Sequence, residues 1–279
     1  MIAITGASGQ LGRLVIKFLL ERVPANQITA LVRDPRKVQD LAEIGVVVRK
    51  ADYNEPETFT TALKGVDKLL LISSNEMESR AAQHRAVIDA AKAAEINLLA
   101  YTSVLHADVS TLGLAADHRD TEEALKTSGV PHVLLRNGWY SENYLASVPT
   151  AIEHGVLLGS AADGQISSAP RTEYAQAAAV VLTAEDQAGK VYELAGDSSF
   201  TLTELASLIS QKFAKTVAYQ NLPQIEFEAA LISAGLPPGL ATLLADADAA
   251  AAEGALFDES GVLGNLIGRK TTPIADSLS

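Results

Sequence analysis

The chain has 279 residues, 48% of them hydrophobic and 20% charged, which suits one large α/β domain or one domain with a smaller lobe. Its 34 acidic residues against 22 Lys and Arg leave a net charge of −12, and a surface of that sign repels phosphate backbones, which disfavours direct nucleic-acid binding. Cysteine is absent, which excludes disulfides, thiolate nucleophiles and sulfur-ligated metals, and no apolar run is long enough for a membrane span, so a cytoplasmic protein is expected.

The chain opens on MIAIT, an apolar β-branched run that predicts a strand over 1–5. Thr5-Gly6-Ala7-Ser8-Gly9-Gln10-Leu11-Gly12 follows, and then a helical pattern over 10–22. Strand, glycine loop and helix in that order are the context in which such glycines bind a dinucleotide. Gly6 turns the chain, Gly9 lets the backbone approach a pyrophosphate, and Gly12 lets the helix pack closely. The positive end of the helix then faces the phosphates.

Further strands are predicted over 28–33, 46–50, 68–73, 97–103 and 130–137, with helices over 35–44, 55–64, 78–95 and 115–128 between them. This alternation predicts a doubly wound parallel sheet of Rossmann type. After residue 138 the rhythm loosens into loops and a short strand over 154–169, a helix over 171–183 and a strand over 190–194. Thr201 and Glu204 form a capping box that opens a helix through Lys212, followed by a strand over 217–222. Residues 224–252 read as helical with a break at 235–239, and Pro273 starts a last short helix. The expected division is a dinucleotide-binding domain over 1–138, joined by a segment returning near 154–195, and a smaller C-terminal α+β lobe over 139–279. A substrate cleft between lobe and sheet is expected.

Ligands on such sheets sit beyond the carboxyl ends of the strands. The second strand ends in Arg33 and Asp34 rather than in a lone carboxylate. Arg33 suits a 2′-phosphate, so NADP(H) is expected over NAD(H), with Asp34 as the alternative ribose partner. Asp52 closes the third strand where an adenine amine would lie, and Tyr53 beside it reads as packing. Ser73, Ser74 and Asn75 follow the fourth strand.

None of the seven tyrosines has a lysine four residues later, so the Tyr-Lys proton relay of alcohol dehydrogenases on this fold is missing. A metal-binding H-E-x-x-H and a G-x-S-x-G elbow are missing too, and no metal is expected. A nicotinamide site without that relay suits an acceptor that needs little acid help. A quinone is such an acceptor, because its hydroquinone oxygens take a proton from water.

Leu31-Val32-Arg33-Asp34-Pro35, Leu71-Ile72-Ser73-Ser74, Ala100-Tyr101-Thr102-Ser103 and Leu135-Arg136-Asn137-Gly138-Trp139-Tyr140-Ser141-Glu142-Asn143 occur in order after the glycine loop. Together they resemble the NmrA-like atypical short-chain dehydrogenases, nearest the bacterial quinone-reductase branch. The resemblance implies a flavin-free NADPH-dependent reductase. It implies cofactor contacts from Gly6, Ala7, Ser8, Gly9, Gln10 and Leu11, from Arg33, from Ser73 to Asn75, and from Asn137, Gly138, Trp139, Tyr140, Ser141 and Glu142. It implies that Trp139, Tyr140, Asn143 and Tyr144 wall the nicotinamide and the quinone. Glu95 stands where the family often has glycine.

Five other side chains are weighed. His106, after the fifth strand, is a weak catalytic candidate, and so is Ser103, in the usual serine position of the superfamily. His84 reads as half-buried surface, and His118 with Glu122 as an i, i+4 surface pair. Two rival functions remain open: a non-catalytic NADP(H) redox sensor with a protein partner, and a reductase of another planar acceptor such as a triphenylmethane dye. A homodimer is also an open expectation.

Overall fold

The computed structural model describes residues 1–278. Seven strands form one sheet: β1 (Ile2–Ile4), β2 (Ile28–Val32), β3 (Val47–Lys50), β4 (Lys68–Leu71), β5 (Leu98–Val104), β6 (His132–Asn137) and, after β7 (Val156–Gly159), β8 (Val191–Leu194). Their order is β3-β2-β1-β4-β5-β6-β8 and the paired strands run parallel. β1 lies between β2 and β4, so the strand order reverses there, and a crevice is expected at the carboxyl ends of these strands. A second, two-stranded parallel sheet joins β7 to β9 (Ala218–Asn221).

The helices are α1 (Gln10–Leu20), α2 (Gln39–Glu43), α3 (Glu57–Ala62), α4 (Arg80–Ala93), α5 (Ala115–Ser128), α6 (Ser141–Leu145) and α7 (Val148–His154). Then come α8 (Arg171–Thr183), α9 (Leu202–Phe213), α10 (Gln224–Ser233), α11 (Pro238–Ala252), α12 (Val262–Ile267) and α13 (Ile274–Ser277). Among the described residues no helix is long and apolar enough to cross a membrane.

Strand periodicity builds the core. Ala3, Leu31, Leu69, Leu71, Leu99, Tyr101 and Leu134 share one face of the large sheet and pack with Phe59 of α3, Val87 and Ile88 of α4 and Leu125 of α5. The alternate residues Ile4, Ala30, Val32 and Leu70 are equally buried, and α1, which packs on β2, buries Val15, Ile16 and Leu19. Each such Leu, Ile, Val or Phe side chain contributes roughly 1.5–3 kcal/mol of burial. The capping box at Thr201 and Glu204 is present at the start of α9.

The chain divides into two compact units: Met1–Val104, Asp117–Arg136 and Thr172–Tyr192 form one, and Leu105–Ala116, Asn137–Arg171 and Glu193–Ser279 the other. The segment that returns to the first unit is thus 172–192, and residues 105–116 leave it well before 138. The expected helix over 35–44 is a 3-10 turn at Pro35–Val38 followed by the short α2, because Asp34 caps the turn and Val38 breaks from helical geometry. Three short helices, α6, α7 and α12, lie where no helix is expected, each too brief to show a period. Glu95 takes a positive φ of 53°, the left-handed geometry that a glycine would adopt without strain.

Candidate functional site

The glycine loop makes a sharp turn at the end of β1. Gly6 has a φ of +57°, and its carbonyl accepts the Gly9 amide at 2.9 Å. A β-carbon on Gly12 would stand 2.5 Å from the Gly6 oxygen and 2.8 Å from Ala7 Cα, so only glycine fits. α1 starts with no side-chain cap and no acidic residue in its first turn, so its positive end is not neutralised from within the helix. This cradle fits a pyrophosphate.

Tyr53 ties the strand ends together. Its hydroxyl lies 2.7 Å from both Thr5 Oγ1 and the Ile72 carbonyl, and its ring stacks on Phe59. Burial pushes the phenol's pKa up. Tyr53 is therefore packing, as its position suggests. Asp52 Oδ1 accepts the Asn54 amide at 3.0 Å.

At the end of β2, Asp34 accepts the Arg36 amide at 3.0 Å and its guanidinium at 2.9 Å through each carboxylate oxygen. Those bonds hold the Asp34 carboxyl below its usual range and occupy the residue that would otherwise serve a ribose hydroxyl. Arg33 points elsewhere, 67% exposed, with Glu76 Oε1 3.6 Å away.

The turn after β4 is fastened from beneath. Thr102 Oγ1 accepts the Ser73 amide at 2.9 Å, His84 Nε2 accepts the Ser74 amide at 2.9 Å, and Arg80 Nε donates to the Ser74 carbonyl at 2.6 Å. His84 is fully buried, with Nδ1 2.9 Å from Thr121 Oγ1, so the half-buried surface reading is wrong. Accepting from Ser74 fixes its neutral tautomer, and burial, helped by Arg80, lowers its pKa to about 3. His118 and Glu122 are not a surface pair either. His118 is buried with Nδ1 2.7 Å from the Tyr101 hydroxyl, and burial first, then Arg80 and His84, lowers its pKa to about 3. Glu122 instead accepts the Ser103 hydroxyl at 2.5 Å and the Arg136 guanidinium at 3.0 and 2.7 Å. Ser103 thus spends its proton inside the protein.

The second group of expected residues follows β6. Asn137 is 7% exposed, and its Oδ1 has no protein partner. Gly138 donates to the Leu194 carbonyl at 2.6 Å. Trp139 is buried, and the Tyr140 ring lies under the Arg171 guanidinium at 4.5 Å. Two expected contact residues have side chains already bonded within the protein. Ser141 is fully buried with its Oγ 2.9 Å from Ser168 Oγ, and Glu142 accepts the Arg171 amide at 3.0 Å, capping α8. Both side chains thus have partners in the fold, and the Glu142 side chain is still 39% exposed. The Asn143 amide donates to the Tyr140 carbonyl at 3.0 Å. Tyr144 is buried and donates to Asp248 Oδ1 at 3.2 Å.

His106 has a φ of +51° and is held on three sides. Its amide donates to Glu193 Oε2 at 2.8 Å, its Nδ1 lies 3.7 Å from Glu193, and its Nε2 lies 3.6 Å from Asp258 and 3.2 Å from the Phe257 carbonyl. Sequence reading missed Glu76, Asp248 and Arg171. Glu76 was the most accessible of these, since it directly follows Asn75 in a turn already singled out.

A family model described as NAD(P)H-binding matches residues 6–185. The chain is 58% identical to quinone oxidoreductase 2 of Escherichia coli, covering 100% of this chain and 98% of that protein. The crystal structure of the E. coli NADPH-dependent quinone oxidoreductase complexed with NADPH superposes with a TM-score of 0.98, over 100% of this chain and 98% of that one. The triphenylmethane reductase of Citrobacter sp., complexed with NADP(H), is 38% identical with a TM-score of 0.95, covering 100% and 99%.

Proposed function

The chain belongs to the NAD(P)H-binding, NmrA-like family, and from that premise we propose that it is a flavin-free, NADPH-dependent quinone reductase. The structural observation that carries the reading is the glycine cradle, which leaves no room for a β-carbon at Gly12. In this reading Gly6 to Leu11 hold the pyrophosphate through backbone amides. Arg33 takes the 2′-phosphate, because Asp34 is already bound to Arg36. Ser73, Ser74 and Asn75 line the cofactor's path, their turn held in place by His84 and Arg80. Asn137, Gly138, Trp139 and Tyr140 would shape the nicotinamide end, with Ser141 and Glu142 alongside them. Trp139, Tyr140, Asn143 and Tyr144 wall the acceptor.

When bound, reduced nicotinamide supplies a hydride. The residues then act through placement, orientation and exclusion of water. One hydride and one proton convert a quinone to its hydroquinone. No Tyr-Lys pair delivers that proton, and Ser103 already donates to Glu122. The proton is assigned to water, with His106 retained as the weaker side-chain candidate. A cytoplasmic location and a homodimer are proposed on the sequence reading alone, and light scattering in solution tests the second.

The deciding experiment follows NADPH absorbance with flavin-free protein and a simple benzoquinone. Saturable, quinone-dependent oxidation supports the proposal. Cofactor binding without turnover would replace it with the sensor. Turnover confined to a triphenylmethane dye would replace it with a dye reductase, a reading favoured by the likeness to the Citrobacter enzyme.

A further inference from the structure

We propose that Glu76 is a specificity-determining residue, a fixed negative charge beside Arg33 that weakens the hold on a 2′-phosphate and widens cofactor choice toward NADH. The inference rests on the reading of Arg33 as the 2′-phosphate ligand. Glu76 Oε1 lies 3.6 Å from Arg33 Nη1, longer than the 2.9 Å contacts between Arg36 and Asp34. The Arg33 guanidinium makes no hydrogen bond among the described residues, so its donors remain to be offered.

Glu76 is held far more firmly. Its carboxylate accepts from Asn54 Nδ2 at 3.1 and 3.4 Å, from Gln83 Nε2 at 2.8 Å and from Ser79 Oγ at 3.4 Å. Gln83, the chief anchor, is 4% exposed and also binds Asn54 Oδ1 at 2.8 Å. When Arg33 swings toward a ligand, the carboxylate stays. A phosphate carrying about −1.5 to −2 charges then meets a like charge across the guanidinium. A ribose hydroxyl meets no such repulsion and can donate to the carboxylate.

The test is calorimetric titration with adenosine 2′,5′-bisphosphate and adenosine 5′-monophosphate. Glu76→Gln should bind the bisphosphate about three- to tenfold tighter, the size of a partly screened charge pair, and leave the monophosphate within about twofold. Glu76→Asp should behave as the parent protein. Weaker or unchanged bisphosphate binding in Glu76→Gln overturns the proposal, and so does a parallel change in both ligands or tightening in Glu76→Asp. The underlying reading fails separately, if Arg33→Ala leaves bisphosphate affinity unchanged.

Discussion

Gly12 sits so close to Gly6 that a β-carbon would stand 2.5 Å from the Gly6 carbonyl oxygen, a distance that real β-carbons do not reach. The obstacle is backbone, which cannot rotate away, so Gly12→Ala must push α1 off the loop. Overpacking of this kind costs roughly 1–3 kcal/mol. The expected result is a Tm lower by about 2–12 °C together with a loss of NADPH affinity greater than about tenfold, since the displaced amides are those proposed to cradle the pyrophosphate. Thermal melts and calorimetry check both. Normal affinity in a folded variant would remove the loop from the cofactor site.

Arg33 differs from Arg36 in what it has to give. Arg36 spends its guanidinium on Asp34 at 2.9 Å, while Arg33 has Glu76 no nearer than 3.6 Å. Arg33→Ala should raise KM for NADPH about ten- to a hundredfold, the worth of a charge-assisted bond, and change KM for NADH by less than about threefold. Steady-state kinetics with both cofactors decide it. Equal effects on the two would place the 2′-phosphate elsewhere.

Legibility in the sequence followed the range of the interactions. The strand–glycine–helix unit, the strands up to β6 and the turn at Ser73 to Asn75 are local patterns, and each was readable from its own residues. What stayed hidden was decided by distant partners. Gln83-His84-Arg85 looks like a polar helix surface, yet His84 is buried because it accepts the Ser74 amide and meets Thr121, 37 residues away. The resemblance implies a cofactor contact from Glu142, and its carboxylate also accepts the first amide of α8, 29 residues on. The resemblance implies a place for Tyr144 on the acceptor wall, and its hydroxyl bonds Asp248, 104 residues away. Propensity and spacing do not carry such pairings.

The two buried histidines of the first unit set an acid limit. Both have pKa values lowered to about 3, below the unfolded value near 6.5. The folded state therefore binds fewer protons than the unfolded chain. The stability tied to each neutral ring is present above pH 6.5 and is lost as pH falls from there toward 3. Denaturant melts between pH 4 and 6 should show stability falling with decreasing pH. His84→Gln and His118→Gln should each reduce that slope by about one proton, about 1.4 kcal/mol per pH unit. An unchanged slope in both variants would mean that neither ring is kept neutral by the fold.

Asp248 works in the opposite direction. Its carboxyl is 5% exposed, accepts the Tyr144 hydroxyl at 3.2 Å and the Ser160 amide at 3.0 Å, and is pushed up to about 6, chiefly by burial. The two bonds favour the charged form but do not outweigh the loss of hydration. Because the folded pKa lies above the unfolded value near 3.8, the protonated residue is the better fit. Its contribution is fully present below pH 3.8 and is lost as pH rises through 6, on the order of 3 kcal/mol in all. Asn reproduces the protonated shape: Oδ1 accepts from Ser160, and Nδ2 donates to a Tyr144 hydroxyl that rotates to receive it. Asp248→Asn should therefore gain stability over the parent protein at pH 8 and approach it at pH 4. Paired thermal melts at the two pH values measure the difference. A variant less stable at pH 8 than the parent would mean that the ionised carboxylate is worth more to the fold than its burial costs.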